Sequence, residues 1–345
     1  MTRGPRPRRR PGSRGPALSP RGLGGLAVIA GVLALLVVGF LYAGPGPRAR
    51  QGASTTVILE HGAGVTGVAR ALKDAHVIRS QALFMVMAKL GGAAGSLKAG
   101  EYAFASGESL ARVISDLKAG RVVRHFVTVP EGWTSAMAAA AVNASPVLTG
   151  LAEVPPEGSL LPETYEVRRG DGRARLIERM QAAQVALLAQ LWPNRRPDLP
   201  FRTPEDAVTL ASIVEKETGV PAERPRIAAV FVNRLKAGMR LESDPTVIYG
   251  VSQGAPLGRG LTVAELAAET PYNTYRIAGL PPTPIANPGR AAIVAVLNPP
   301  QSSEMFFVAD GTGGHVFASS FAEHQKNVAR WREVERARAA AGTAK

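Results

Sequence analysis

The chain has 345 residues, 46% apolar and 20% charged, which is ordinary for a globular protein and enough for one large or two medium domains. It contains no cysteine, which excludes a disulfide scaffold and thiolate metal sites. Of the formal net charge of +14, seven charges come from arginines in residues 1–21, where no acid occurs; the rest is a mildly basic body without zinc-finger or aromatic RNA-binding patterns, so a nucleic-acid partner is not expected.

Residues 22–43 read GLGGLAVIAGVLALLVVGFLYA, with no charged residue. At 1.5 Å rise per residue, about 20 apolar residues span the ~30 Å hydrocarbon core of a bilayer, so this run predicts a transmembrane helix. It is longer than the usual apolar region of a signal peptide, and no clear small-x-small cleavage site follows a short core. Tyr42 stands where an interfacial aromatic belongs, and the arginines before the run predict a cytoplasmic N-terminus with the body exported. The basic tail, rich in Pro, Gly and Arg, predicts disorder, and residues 44–54 read as a linker.

Residues 55–130 predict a small α+β module. Thr55–Leu59 is a β-branched strand run, and Val65, Val68, Ala69 and Leu72 repeat with helical spacing. Ser80 is a candidate N-cap for a helix over Gln81–Leu90, and Gly120 a C-terminal cap for one over Ser109–Leu117. Residues 97–104 read as a turn entering a strand, and Val122–Val129 alternates like a strand closed by Pro130. The module carries no convergent acids, histidine cluster or phosphate loop, so its composition points to a spacer or packing role.

Residues 131–340 form the larger α+β domain. Leu176–Leu191 predicts a helix. In Thr203–Gly219, Thr203 caps, Pro204 takes the first helical position, and Glu205 and Asp206 face the positive end of the helix dipole. Ala207, Leu210, Ala211 and Val214 mark a buried face, with Glu215 at one border and Glu217 at the other. Desolvation disfavours a charged carboxylate, and a general acid at neutral pH needs its proton; periodicity alone does not choose between the two glutamates. A helix is expected around Ala222–Ala237, then a turn at Asp244-Pro245. GLPPTPIANPG at 279–289 predicts a rigid irregular loop, and residues 305–318 two strands around a Gly-rich hairpin. GTGG is not a phosphate loop, because no Lys-Ser/Thr follows; neither a cofactor nor a metal is expected. Ser320 and Glu323 predict a capping box for a terminal helix.

The stretches LASIVEKET (210–218), MRLESDPTVIYG (239–250), PYNTYRIAGLPPTPIANPG (271–289) and FFVADGTGGHVFA with EHQKNV (306–327) stand together in one order. With VTVPEGWT (127–134) and GSLLPETY (158–165), they resemble the endolytic murein transglycosylases of the MltG (YceG-like) family. Ser243 stands where threonine is familiar, and Pro225 enters the start of the next helix. The resemblance implies a LysM-like fold for the first module, peptidoglycan glycan strands as substrate, peptidoglycan synthases as partners and a plasma-membrane location. It also implies that the catalytic residue is the first glutamate of the stretch, Glu215, with Asp244, Tyr272, Asn273 and Tyr275 as cleft candidates. The implied reaction is cleavage between MurNAc and GlcNAc, with Glu215 protonating the leaving oxygen and the C6 hydroxyl closing on C1 to leave a 1,6-anhydro end. An intramolecular attack of this kind replaces the enzyme-held water of ordinary glycosidases. The rivals are a lysozyme-like hydrolase of the same bond and a non-catalytic glycan-binding scaffold.

Overall fold

The computed structural model describes residues 20–60 and 62–342, and the basic tail before residue 20 lies outside them. The contacts divide the chain into two units between Val123 and Arg124.

The first unit begins with helix α1 (Pro20–Ala43), followed by β1 (Ser54–Leu59), α2 (Val65–Asp74), α3 (Gln81–Leu90), β2 (Gly100–Ala105) and α4 (Leu110–Ala119). Strands β1 and β2 pair antiparallel, with Val57 opposite Tyr102. The predicted Ser80 cap forms, its hydroxyl accepting from the Leu83 amide, and Ser109, expected as the first residue of its helix, instead caps it by accepting from the Arg112 amide. Gly120 ends α4 at φ 70°, a left-handed conformation that a residue with a Cβ adopts at a cost. Leu72, Phe84, Leu117 and the stacked rings of Tyr102 and Phe104 fill the core, each worth roughly 1.5–3 kcal/mol of burial. Along α1, by contrast, Val28, Leu33, Leu35 and Phe40 are all exposed. Among the described residues no helix is long and apolar enough to cross a membrane.

The second unit opens with β3 (His125–Thr128), α5 (Ser135–Ala144), β4 (Thr164–Val167) and α6 (Arg173–Leu191). Strand β3 pairs antiparallel with β4, Phe126 facing Glu166. The strand run that sequence places at the end of the first module thus belongs, through its partner, to the second unit. Next come α7 (Pro204–Glu217), α8 (Arg224–Lys236), α9 (Asp244–Ser252), α10 (Val263–Ala267) and α11 (Arg290–Leu297). The hairpin β5–β6 (Phe306–Ala309 and His315–Ala318) and helix α12 (Phe321–Gly342) complete it.

Helix α7 is the axis of this unit. Thr203 and Asp206 close the expected capping box in both directions. Every residue from Ala207 to Glu215 is buried, not one face only, because α8 and α11 pack beside it and α9 touches it as well. Asp244-Pro245, expected as a turn, is instead the first turn of α9. Proline is tolerated there because its missing N–H would have no helical partner.

Candidate active site

The motifs that are scattered in sequence meet at the C-terminal end of α7. Asn287, wholly buried in the proline-rich loop, is their junction. Its Nδ2 donates to the Trp133 carbonyl at 3.0 Å, and its Oδ1 accepts from the Leu160 amide at 3.0 Å. Its own carbonyl accepts from the Gly132 amide at 2.9 Å. The same loop is tied to α7 by the Ile285 amide, which donates to Ser212 Oγ at 3.0 Å. Segments 132–135, 157–160 and 285–289 are therefore held against the helix as one wall.

Glu215 points into that wall. Its side chain is only 4% exposed, and it accepts from Arg224 Nη2 at 2.8 Å and from the Gly289 amide at 3.0 Å. Gly289 is the N-cap of α11, so the carboxylate sits against the positive end of that helix. Arg224 also reaches Glu131 at 3.4 Å. Burial and the nearby Glu215 push the Glu131 carboxyl above its ordinary range, against the pull of Arg224. Glu215 thus joins α7, α8 and the start of α11.

Glu217 points elsewhere. It lines a cavity of about 300 Å³ with Arg234, Glu242, Asp244, Tyr275 and His315. Ser243, the serine in the familiar threonine position, donates its hydroxyl to Glu217 Oε1. Burial, reinforced by the charge of Asp244, pushes the Glu217 carboxyl up to about 7, against the Ser243 hydrogen bond and the opposing pull of His315 and Arg234. This carboxyl can carry a proton at neutral pH and still give it up.

The cleft candidates divide. Asp244 and Tyr275 share the Glu217 cavity, with the Tyr275 hydroxyl donating to Asp244 Oδ1 at 2.8 Å. Burial and then Asp244 raise the Tyr275 phenol above its ordinary range, so it stays a donor. Asn273 is fully buried: its Nδ2 donates to the carbonyls of Leu266 and Ala268 and its Oδ1 accepts from the Tyr275 amide. Its amide shapes the loop that presents Tyr275. Tyr272 packs its ring 5.0 Å from that of Tyr249 and hydrogen-bonds Thr283 at 2.7 Å.

Arg224, Glu131, Glu223 and His315 were not legible as site residues. Glu223 falls inside the expected helix around Ala222–Ala237, and its partner His315 follows the hairpin turn 92 residues later. The Gly-rich turn beside His315 was the available signal, since such turns let a backbone approach closely.

Fold and site together define an α+β protein whose second unit carries a cavity lined by three carboxyls, a tyrosine and a histidine. The chain belongs to the YceG-like family, whose model matches residues 57–330. It is similar to an endolytic murein transglycosylase of Bacillus subtilis strain 168, 30% identical over 305 residues that cover 79% of this chain and 83% of the relative. It is also similar to one of Streptococcus pneumoniae serotype 2 strain D39, 36% identical over 179 residues, 50% of this chain and 32% of that protein. A crystal structure from Listeria monocytogenes described as YceG-like aligns with a TM-score of 0.49 at 27% identity, covering 80% of this chain and 99% of that one.

Proposed function

We propose that the chain is a membrane-tethered lytic transglycosylase that cuts the MurNAc–GlcNAc bond of peptidoglycan, with Glu217 rather than Glu215 as the acid. One observation carries the assignment. Glu217 faces an open cavity beside Asp244 and Tyr275 with a carboxyl poised near neutrality, whereas both oxygens of Glu215 are engaged by Arg224 and a helix start.

Protonated Glu217 gives its proton to the glycosidic oxygen. The positive charge that develops at C1 of MurNAc is met by the anionic side chains of Asp244 and Glu242 in the same cavity. Tyr275 fixes Asp244 for that task. The C6 hydroxyl of the same sugar closes on C1, and its proton leaves to a base of the cleft. The nucleophile is tethered, so no water has to be positioned.

The tether is the uncharged run 22–43. Helix α1 has 24 residues, about 36 Å at 1.5 Å each, and displays apolar side chains outward. The arginines of residues 1–21 hold the N-terminus in the cytoplasm and place the catalytic unit outside. The order β1-α2-α3-β2 supports a LysM-like first module that contacts glycan, and peptidoglycan synthases are the partners expected at the membrane.

The test is digestion of purified sacculi by the full chain in detergent, with mass spectrometry of the products. Glycans ending in 1,6-anhydro-MurNAc are expected from the wild type and none from Glu217→Gln. Reducing ends would replace transglycosylation with hydrolysis, and an intact Glu217→Gln activity would reject the acid.

A further inference from the structure

The cavity that holds Glu217 contains a second proton-transfer group that the reaction has not yet used. His315, the first residue of β6, lines it. Its Nδ1 lies 2.7 Å from Glu223 Oε2, and its backbone amide donates to Glu223 Oε1 at 2.7 Å. Thr218, immediately after Glu217, donates its hydroxyl to Glu223 Oε2 at 3.1 Å. Burial pushes the Glu223 carboxyl up, but the hydrogen bonds from the His315 ring, its amide and Thr218 outweigh it, and the group is held below the ordinary range. Glu223 is therefore an anion at neutral pH. Facing an anion, Nδ1 carries a hydrogen, which leaves Nε2 as the ring nitrogen that can take up or release a proton.

The Gly-rich turn makes this placement possible. A Cβ on Gly314 would lie 2.7 Å from Glu223 Oε1, so a side chain there would push the carboxylate tip away from the hairpin. The ring of His315 is further braced edge-on by Phe307, with centroids 5.2 Å apart. A histidine held by a carboxylate at one nitrogen, in the lining of the cavity that also holds Glu217, is the arrangement of a general base.

We propose that His315 is a second catalytic residue of the cleft, its Nε2 taking the proton of the attacking C6 hydroxyl while Glu217 gives its own to the leaving sugar oxygen. This rests on the transglycosylase reading above. The bond from C1 to the bridging oxygen breaks with its electron pair on that oxygen, which receives the Glu217 proton. The C6 oxygen bonds to C1, and its proton passes to Nε2. The cleft is left with a Glu217 carboxylate and a His315 imidazolium, and one proton moving between them through solvent restores both. Glu223 is a positioning residue: it fixes the tautomer and offsets the charge of the imidazolium.

The pH–rate profile of the full chain on sacculi tests this. The charged and titratable groups around the imidazole are Glu217, Glu223, Arg234, Glu242, Asp244, Tyr275 and Asp310. The wild type should rise with pH as the base loses its proton and fall as Glu217 loses its own. His315→Gln should slow turnover by about 10²–10⁴ and lose the rising limb, with added imidazole restoring rate. Glu223→Gln keeps a single acceptor oxygen, enough for the His315 amide, and loses the negative charge; its rising limb should move to lower pH because the imidazolium loses its counter-ion. A His315→Gln enzyme that keeps the rising limb, or a Glu223→Gln profile that does not move, overturns the proposal. Failure of the transglycosylase reading looks different, since the wild-type products would then end in reducing sugars, and failure of its acid would leave Glu217→Gln cleaving as the wild type does.

Discussion

Two carboxyls on the last turn of α7, two residues apart, meet opposite surroundings. Glu215 turns inward and finds a guanidinium and a helix N-terminus, both positive. Glu217 turns towards a cavity, where it finds a hydroxyl donor and a second acid, Asp244. Both positions lie at borders of the helix face that periodicity marks as buried. What separates them is the balance of partners: a direct guanidinium bond and a helix start at Glu215, and burial with Asp244 set against Ser243, Arg234 and His315 at Glu217. Desolvation makes a carboxyl a candidate acid; the sign of its neighbours decides whether it fastens the fold or moves a proton.

The sharpest way to break this comparison is to neutralise each carboxyl in turn. Glu217→Gln should lower turnover by about 10²–10⁴ while leaving the fold intact. It should also change the dependence of stability on pH. Glu217 binds its proton more tightly in the folded chain than in the unfolded one, so its contribution is fully present below the ordinary value of 4.5 and is lost as pH rises through about 7. The stability of the wild type relative to Glu217→Gln should therefore fall by up to about 3 kcal/mol between these limits, read by urea denaturation at several pH values. A flat difference would mean that the carboxyl is not strained by burial.

Glu215→Gln should do the reverse. It removes the anion paired with Arg224, and breaking a buried ion pair costs about 3–5 kcal/mol; Glu131, also within reach of Arg224, should reduce this to about 2–3. The loss should appear as a lower melting temperature, with activity per folded molecule falling less than in Glu217→Gln. If Glu215→Gln melts like the wild type yet cleaves nothing, the roles of the two glutamates are exchanged. Asn273→Ala sits next in size. Removing an amide that serves two carbonyls and the Tyr275 amide should cost about 2 kcal/mol of stability, with a loss of rate that follows the displaced tyrosine.

Much of the frame was legible. Caps at Ser80 and Thr203 and the left-handed glycine after α4 are local chemistry, carried by residues within one turn of the ends they define. The β5–β6 hairpin was equally plain, since alternation and glycine mark it directly. The cleft was half legible. Asp244 and Tyr275 do stand together beside a helix-end glutamate, but Asn273 looks like a sugar-binding amide only until its backbone partners are seen. Asp244-Pro245 misled because the same dipeptide serves a turn and a helix start, and only the Ser243 position outside the helix separates the two. Glu223 and His315 were invisible because their pairing is a contact across 92 residues, which no local period encodes.

The finest test of the comparison concerns the neighbour rather than the carboxyl. The charge of Asp244 helps to raise the Glu217 carboxyl, and the Tyr275 hydroxyl holds Asp244 in place. Asp244→Asn removes the charge and keeps an acceptor for Tyr275. Glu217 should then lose its proton more readily, so the falling limb of the pH–rate profile should move to lower pH and turnover near neutrality should drop. Because the Asn variant also removes an anion facing the positive charge at C1, the rate should fall at every pH as well as shift. Tyr275→Phe loses only a hydrogen bond, worth about 1 kcal/mol, and should slow the reaction several-fold with the limb moved little. An Asp244→Asn enzyme with the falling limb unmoved would show that burial alone, without a like-charged neighbour, keeps the proton on Glu217.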